Sequence, residues 1–459
     1  MIPLQYFLLT LFILIFGGTL LRLTKAKYQI AFNILILAVI SAEICYFTVA
    51  GVAGIYFGIV SMNQFSLFFM LLFSISMLLV NLLVYGSGDY KDFALLSNFT
   101  LLGMYLIAFA NSLLAILVGL ELVSLPTVFI LLLNRRGLEA ATKLFIMSSI
   151  SIATLSFAVV LFYGSTGSIA LSNHPASSIL IFASILFIAS IGFEASIFPF
   201  NLWVPDVYQG ADASITAMLG GINKKAGFVA LMQVLILAFI AYGIIFSFVV
   251  SILAAATMFF GNLAALSQDR MKRLMAYSSI SQAGYILIGI AAASQTGIEA
   301  SAFQIFSHMF AFIGVLAVVS WLEARGRTSI NDFIGLGNEN RFAAIALSFF
   351  LLSFIGIPLT SGFIGKFLLF SSAISSNMAW LAVIGIINTV ISVYYYGKVL
   401  IAVYTGKKDA RIIKMDRSTA IAVAICFGAV LIFGIYPVPV INLASGAASF
   451  LLNAARIGV

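Results

Sequence analysis

The chain has 459 residues, of which 63% are hydrophobic and 8% charged, with a formal net charge of +8 and a mean hydropathy of +1.17. Such values lie outside the range of soluble globular chains and define a polytopic integral membrane protein. A transmembrane barrel is excluded because the apolar runs are about 20 residues long and apolar all round, which suits helices crossing a hydrocarbon core of about 30 Å.

Fourteen spans are predicted, centred near residues 12, 39, 74, 102, 123, 150, 188, 226, 255, 283, 309, 356, 391 and 435. The first apolar stretch is expected to be retained as a helix, since no basic segment precedes it and no cleavage pattern follows. With that start outside, the inner loops hold Arg22, Lys25 and Lys27, then Lys91, then Arg135 and Arg136, then Arg270, Lys272 and Arg273, then Arg325, Arg327 and Arg341. The loop before the last span adds Lys407, Lys408, Arg411, Lys414 and Arg417. Outer loops between spans hold no Lys or Arg. This alternation places the chain in the cell membrane with both termini outside, and makes the charge of +8 an orientation signal instead of a nucleic-acid footprint. Cys45 and Cys426, the only cysteines, fall within spans, so disulfide frameworks, zinc sites and iron–sulfur clusters lack ligands. No cofactor is expected in this chain.

Glu121, Glu194, Lys224 and Lys366 lie deep inside apolar spans. A charge at a helix centre costs roughly 2.5 to 3.5 kcal/mol on insertion scales, so ionisable groups there point to function. Span seven carries Pro199 and Pro205 within FPFNLWVPD, and span twelve carries Pro358 within IGIPLTSGFIGKF. Proline and glycine at that depth break a helix and free backbone groups that only a protein-lined cavity can satisfy. Glu194 precedes the first break and Lys366 follows the second, and two interrupted helices in corresponding positions mark an inverted-repeat transporter. Lys366 alone would also fit a lysine snorkelling to the headgroups.

The runs GLELVSLP (Gly119 to Pro126), WVPDVYQGA (Trp203 to Ala211), KRLMAYSSIS (Lys272 to Ser281) and GFIGKF (Gly362 to Phe367) closely resemble the antiporter-like N subunit family of respiratory complex I (NADH-quinone oxidoreductase), over nearly the whole chain. The resemblance implies an all-α fold of about 14 transmembrane helices with an inverted repeat of two five-helix units. Residues 1–92 would form three leading helices, 93–239 the first unit, 240–406 the second, and 407–459 a basic inner loop with the last helix. It further implies a proton-translocating subunit in the membrane arm of a quinone-reducing complex, with quinone, flavin and iron–sulfur centres in partner subunits and sister antiporter-like subunits beside it.

Carried over by residue, Glu121 matches the acid of span five, Lys224 the lysine of span eight and Lys366 the exit lysine. Glu139 and Lys143 match an N-type pair, spaced i,i+4 with the acid first. The chain departs from the family at Glu194, where a lysine is usual, at Asn201, where a histidine is usual, at Asp212 in place of a proline, and at Lys225, an added lysine. Glu194 is read either as a protonated, transferable site compensated by Lys143 or Lys225, or as a remnant paired with an extra lysine. His308 fits a relay between Lys224 and Lys366, or a core imidazole bonded to a carbonyl. Ser279, Ser281, Gln282 and Tyr285 could line a hydrated path or serve ordinary packing. A subunit of a multi-subunit sodium/proton antiporter or membrane-bound hydrogenase, and a non-pumping structural homologue, remain alternatives.

Overall fold

Helix starts in this chain are written by short polar residues just before apolar runs. Ser112 accepts from the Ala115 amide, Ser177 from Leu180, Ser294 from Gly297, Asn340 from Ala343, Thr360 from Phe363 and Asp416 from Thr419. Each cap satisfies an amide that the helix cannot pair itself, a need that is acute where no water competes.

The computed structural model describes residues 25–56, 60–87, 90–134, 137–175, 177–406 and 412–457. The span expected near residue 12 lies outside these, as do Arg22, Arg135, Arg136, Lys407, Lys408 and Arg411. In chain order the helices are α1 (Ala26–Val49), α2 (Gln64–Ser87), α3 (Phe93–Ala108), α4 (Leu113–Leu132), α5 (Leu138–Thr166), α6 (Ser178–Ala195) and α7 (Val204–Gly210). They continue as α8 (Ala213–Ala238), α9 (Gly243–Leu266), α10 (Met271–Ala292), α11 (Gln295–Glu323) and α12 (Arg341–Ile355). The last are α13 (Ser361–Ser375), α14 (Ala379–Tyr404), α15 (Arg417–Ile435) and α16 (Val438–Ile457). A small antiparallel hairpin, β1 (Gly54–Tyr56) and β2 (Val60–Met62), joins α1 to α2. Among the described residues twelve helices are long and apolar enough to cross a membrane, and α3, α12 and α13 are shorter apolar helices.

Two features differ from the sequence expectation. Pro205 does not interrupt span seven; it opens the separate helix α7, where its missing amide costs nothing. The single span expected near residue 435 is the pair α15 and α16, interrupted at Tyr436 and Pro437. Proline removes an intrahelical donor and pushes the preceding residue out of the helical region. The pair still forms one antiparallel track along α2. Gly86 at one end of α2 lies against Asp416, Gly434 lies against Thr360, and Gly446 near the middle of α16 lies against Gln64 at the other end of α2.

Burial sorts the bundle. The spans α8 and α11 are enclosed throughout, whereas most of α5 faces outward with Phe145, Ile146, Ile150, Phe157 and Val160 exposed. In a membrane such a face meets lipid or another subunit, so the exposed apolar surface needs no further account, and the informative residues are the polar ones in the centre.

Candidate functional site

Each broken helix leaves carbonyls without a helical partner. At the second break, Gly356 closes α12 in the left-handed region (φ 90°) and the chain re-enters α13 at Ser361. The Lys366 ammonium reaches back across the gap and donates to the carbonyls of Phe354 (2.7 Å) and Ile355 (3.2 Å) and to Thr389 Oγ1 (3.3 Å), and lies 4.3 Å from the centre of the Tyr285 ring. A cation thus sits on the negative end of the α12 dipole, with an aromatic face below it. Lys366 is buried and held by these groups, so it is not a snorkelling lysine.

The first break is built the same way with different chemistry. Phe193 in the last turn of α6 has its carbonyl bonded by the indole N–H of Trp203 (3.2 Å), and Thr257 Oγ1 accepts from the Phe198 amide (3.1 Å). Glu194 cannot donate to those carbonyls as a lysine would. Its Oε1 accepts from Ser124 (2.9 Å), one turn beyond Glu121 on α4, and Glu121 itself is half-buried.

Glu194 and Lys224 line one cavity of about 10 Å³, together with Ser124, Thr127, Trp203 and Asn223. That is room for about a single water molecule. Gly227, one turn after Lys224, lets α8 approach closely: a Cβ there would come within 3.1 Å of Glu194 Cβ. Lys224 Nζ donates to Ser279 Oγ (2.9 Å) and to the Ser279 carbonyl (3.3 Å), and Asn223 donates to Thr127 Oγ1 (2.8 Å). Residues 219–223 just before Lys224 and residues 234–238 further on are wound as π-helix. Such widened turns relax the regular backbone pairing and recur at functional sites.

Beyond the cavity, buried polar groups lack protein partners. Lys225 Nζ has none and lies 5.8 Å from the Phe228 ring centre; both His308 nitrogens have none, with the imidazole stacked on Phe312 at 5.3 Å and tilted to Phe354 at 5.5 Å. Ser196 Oγ, both amide atoms of Asn201 and Gln304 Oε1 are in the same condition. An unpaired buried polar group costs roughly 1–3 kcal/mol, a cost that a bound water would relieve. His308 is therefore not bonded to a neighbouring carbonyl.

Lys143 does not compensate Glu194. It bridges Glu139 (2.7 Å) and Asp206 (2.9 Å), while Arg273 holds the other Asp206 oxygen (3.0 Å) and bonds Gln209 (3.1 Å). These groups line an open, polar cavity of about 240 Å³ at the end of the bundle that carries Arg270. The Lys143 hydrogen bond, followed by that of Arg273, holds the Asp206 carboxyl below the usual carboxylate range. It remains charged throughout neutral pH, and the stability its bridges contribute is lost only as pH falls through that lowered value.

Sequence reasoning missed a clamp at the start of α8. Glu323 at the end of α11 accepts from the Ala213 amide (2.7 Å) and from Lys272 of α10 (2.5 Å), and Lys272 also bonds the Ala211 carbonyl (2.6 Å). Asp212 accepts from Tyr90 (2.5 Å) and Asn134 (2.8 Å). Burial, then the Asp212 hydrogen bond, pushes the Tyr90 hydroxyl well above the usual tyrosine range, so it stays a donor. Two carboxylates thus meet the positive end of the helix that carries Lys224 and Lys225.

An all-helical bundle with broken helices beside buried lysines and a buried glutamate defines an antiporter-like membrane protein. Residues 110–392 match the sequence profile of the family described as NADH:quinone oxidoreductase/Mrp antiporter, transmembrane, and the chain belongs to this family. It is 35% identical to F(420)H(2) dehydrogenase subunit N of Methanosarcina mazei over 421 residues, 85% of each chain. It is 35% identical to NADH-quinone oxidoreductase subunit N of Desulforamulus reducens, over 86% of this chain and 87% of that one. A chain of respiratory complex I from Thermus thermophilus superposes with a TM-score of 0.85 at 29% identity, covering 96% of this chain and 99% of that one. A chain of the Mrp complex from Dietzia shares the fold (TM-score 0.91, 18% identity, 98% and 97% covered).

Proposed function

We propose that this chain is the proton-translocating membrane-arm subunit of a complex I-like quinone oxidoreductase, working beside sister antiporter-like subunits, with flavin, iron–sulfur and quinone chemistry in its partners. The relatives at 35% identity are N subunits of NADH- and F(420)H(2)-linked enzymes, which supports the quinone-oxidoreductase branch.

The architecture adopted for this function has fourteen crossings. Broken pairs count once, the fourteenth is the span that the sequence predicts near residue 12, outside the described residues, and both termini face outward in the cell membrane. Within it, 93–239 and 240–406 form inverted five-helix units, with the breaks after α6 and α12 in corresponding places.

The observation that carries the reading is the single-water cavity shared by Glu194 and Lys224. Two groups that can each hold or release a proton face one site, and neither is locked into a direct ion pair. Glu121 and Glu194 take the place of the family's usual Glu–Lys couple, and a proton arriving at Lys224 is passed by Lys225 and His308, with water as the intervening carrier, to Lys366, the exit. Glu139 and Lys143 belong to the charged mouth with Asp206 and Arg273, where protons are collected. Lysine-based sites suit the proton as coupling ion, since an ammonium cannot coordinate a metal cation.

The test is redox-driven acidification in vesicles that hold the assembled complex, with electron transfer followed in the same sample. Glu194→Gln keeps the Ser124 hydrogen bond and removes the ionisable proton, so pumping falls while electron flow is retained or slowed. Full pumping by this variant would remove Glu194 from the path.

A further inference from the structure

The hairpin, the end of α3, the second π-wound turn of α8 and the last turns of α16 enclose a cavity of about 290 Å³ at the end of α8 away from the basic clamp. Its walls are mostly apolar, with Met62, Phe65 and Leu237 buried at the floor and Phe450 and Asn453 forming the mouth. Among the described residues no Lys, Arg, Asp, Glu or His lines it.

One polar atom at the floor is unspent. The Gln233 carboxamide donates through Nε2 to the Ala108 carbonyl (3.1 Å), while its Oε1 is buried without a protein partner. Asn63, the other buried amide of the lining, is committed on both sides, donating to Ser61 and accepting from the Ser66 amide. The cavity therefore asks for an apolar body carrying one O–H or N–H donor and no charge.

We propose that this cavity binds an uncharged, hydroxyl-bearing lipid, its chain lying between Met62, Phe65 and Leu237 and its hydroxyl donating to Gln233 Oε1. The mouth at Phe450 and Asn453 admits such a molecule from the bilayer edge, and an anionic headgroup would find no counter-charge among the described lining residues. This assignment is independent of the proton path.

The experiment uses the assembled complex in lipid nanodiscs with a photoreactive monoacylglycerol, and as control the fatty-acid methyl ester of the same chain, which lacks the donor. The monoacylglycerol labels peptides containing Met62, Leu237 or Phe450, the ester labels them about fivefold less, in keeping with one neutral hydrogen bond, and Gln233→Leu removes the difference. Leu237→Trp, which fills the floor and leaves Gln233 in place, abolishes labelling by both. Equal labelling by the two probes, labelling unchanged in Leu237→Trp, or no labelling in the native complex would each overturn the proposal, the last meaning that water alone fills the site.

Discussion

Lys366 shows how much chemistry one side chain can carry at a broken helix. Its ammonium supplies donors to two carbonyls that α12 cannot satisfy, and could therefore be a structural cation only. Arginine separates that role from proton transfer, because a guanidinium keeps the charge and the donors and never releases its proton. Lys366→Arg is expected to assemble with near-native stability and to lose proton translocation by this subunit, measured as protons moved per electron. Lys366→Ala is expected to lose translocation too and to be less stable by about 1–3 kcal/mol, since buried carbonyls are left unpaired. Native stoichiometry in Lys366→Arg would confine the residue to the structural role. The sequence alone marked Lys366, Lys224 and Glu194 through the cost of burying them, and it offered Ser279 and Tyr285 either as the lining of a hydrated path or as ordinary packing. It could not pair Ser279 with Lys224 or Ser124 with Glu194, because those contacts join helices whose facing is set by tertiary packing.

At the scale of elements, the break between α12 and α13 depends on close backbone approach. Gly362 donates to Ser353 Oγ (3.1 Å), and a Cβ on Gly362 would overlap the Ser353 carbonyl. Gly362→Ala must spread the two half-helices and draw the Phe354 and Ile355 carbonyls from Lys366, at a cost of about 1–3 kcal/mol for an overpacked site. Thermal unfolding of the complex, with Gly428→Ala as control, checks this. Nothing lies within 4 Å of a Cβ at Gly428, so that control is expected to be neutral or stabilising by about 0.5–1 kcal/mol. Both breaks near Pro199 and Pro358 were legible because proline and glycine cluster there within apolar runs. The break at Pro437 carried the same proline signal, but no ionisable residue stands beside it, and the apolar run reads through as one span.

Across the whole molecule, the parts of the candidate path lie on helices from different thirds of the chain, and the Glu323 clamp is where they are tied. Lys272 begins α10, which carries Ser279; Glu323 ends α11, which carries His308; both grip the start of α8, which carries Lys224 and Lys225. The residues are far apart in sequence, each is an ordinary charge beside a connecting loop, and nothing in local pattern shows that they converge, which is why they went unread. Both members of the ion pair are largely buried, so removing one charge leaves the other poorly solvated. Glu323→Gln keeps a carbonyl acceptor for the Ala213 amide and discards the carboxylate that complements Lys272 and the helix dipole. The expected result is a loss of about 1–3 kcal/mol in stability, together with fewer protons moved per electron, because α8 is no longer held in register with α10 and α11. In Lys272→Gln combined with Glu323→Gln no charge is stranded, so the double variant should recover much of the stability and little of the pumping. Recovery of both would make the clamp a brace for the fold; recovery of stability alone would show that the charge pair itself transmits motion between these three helices.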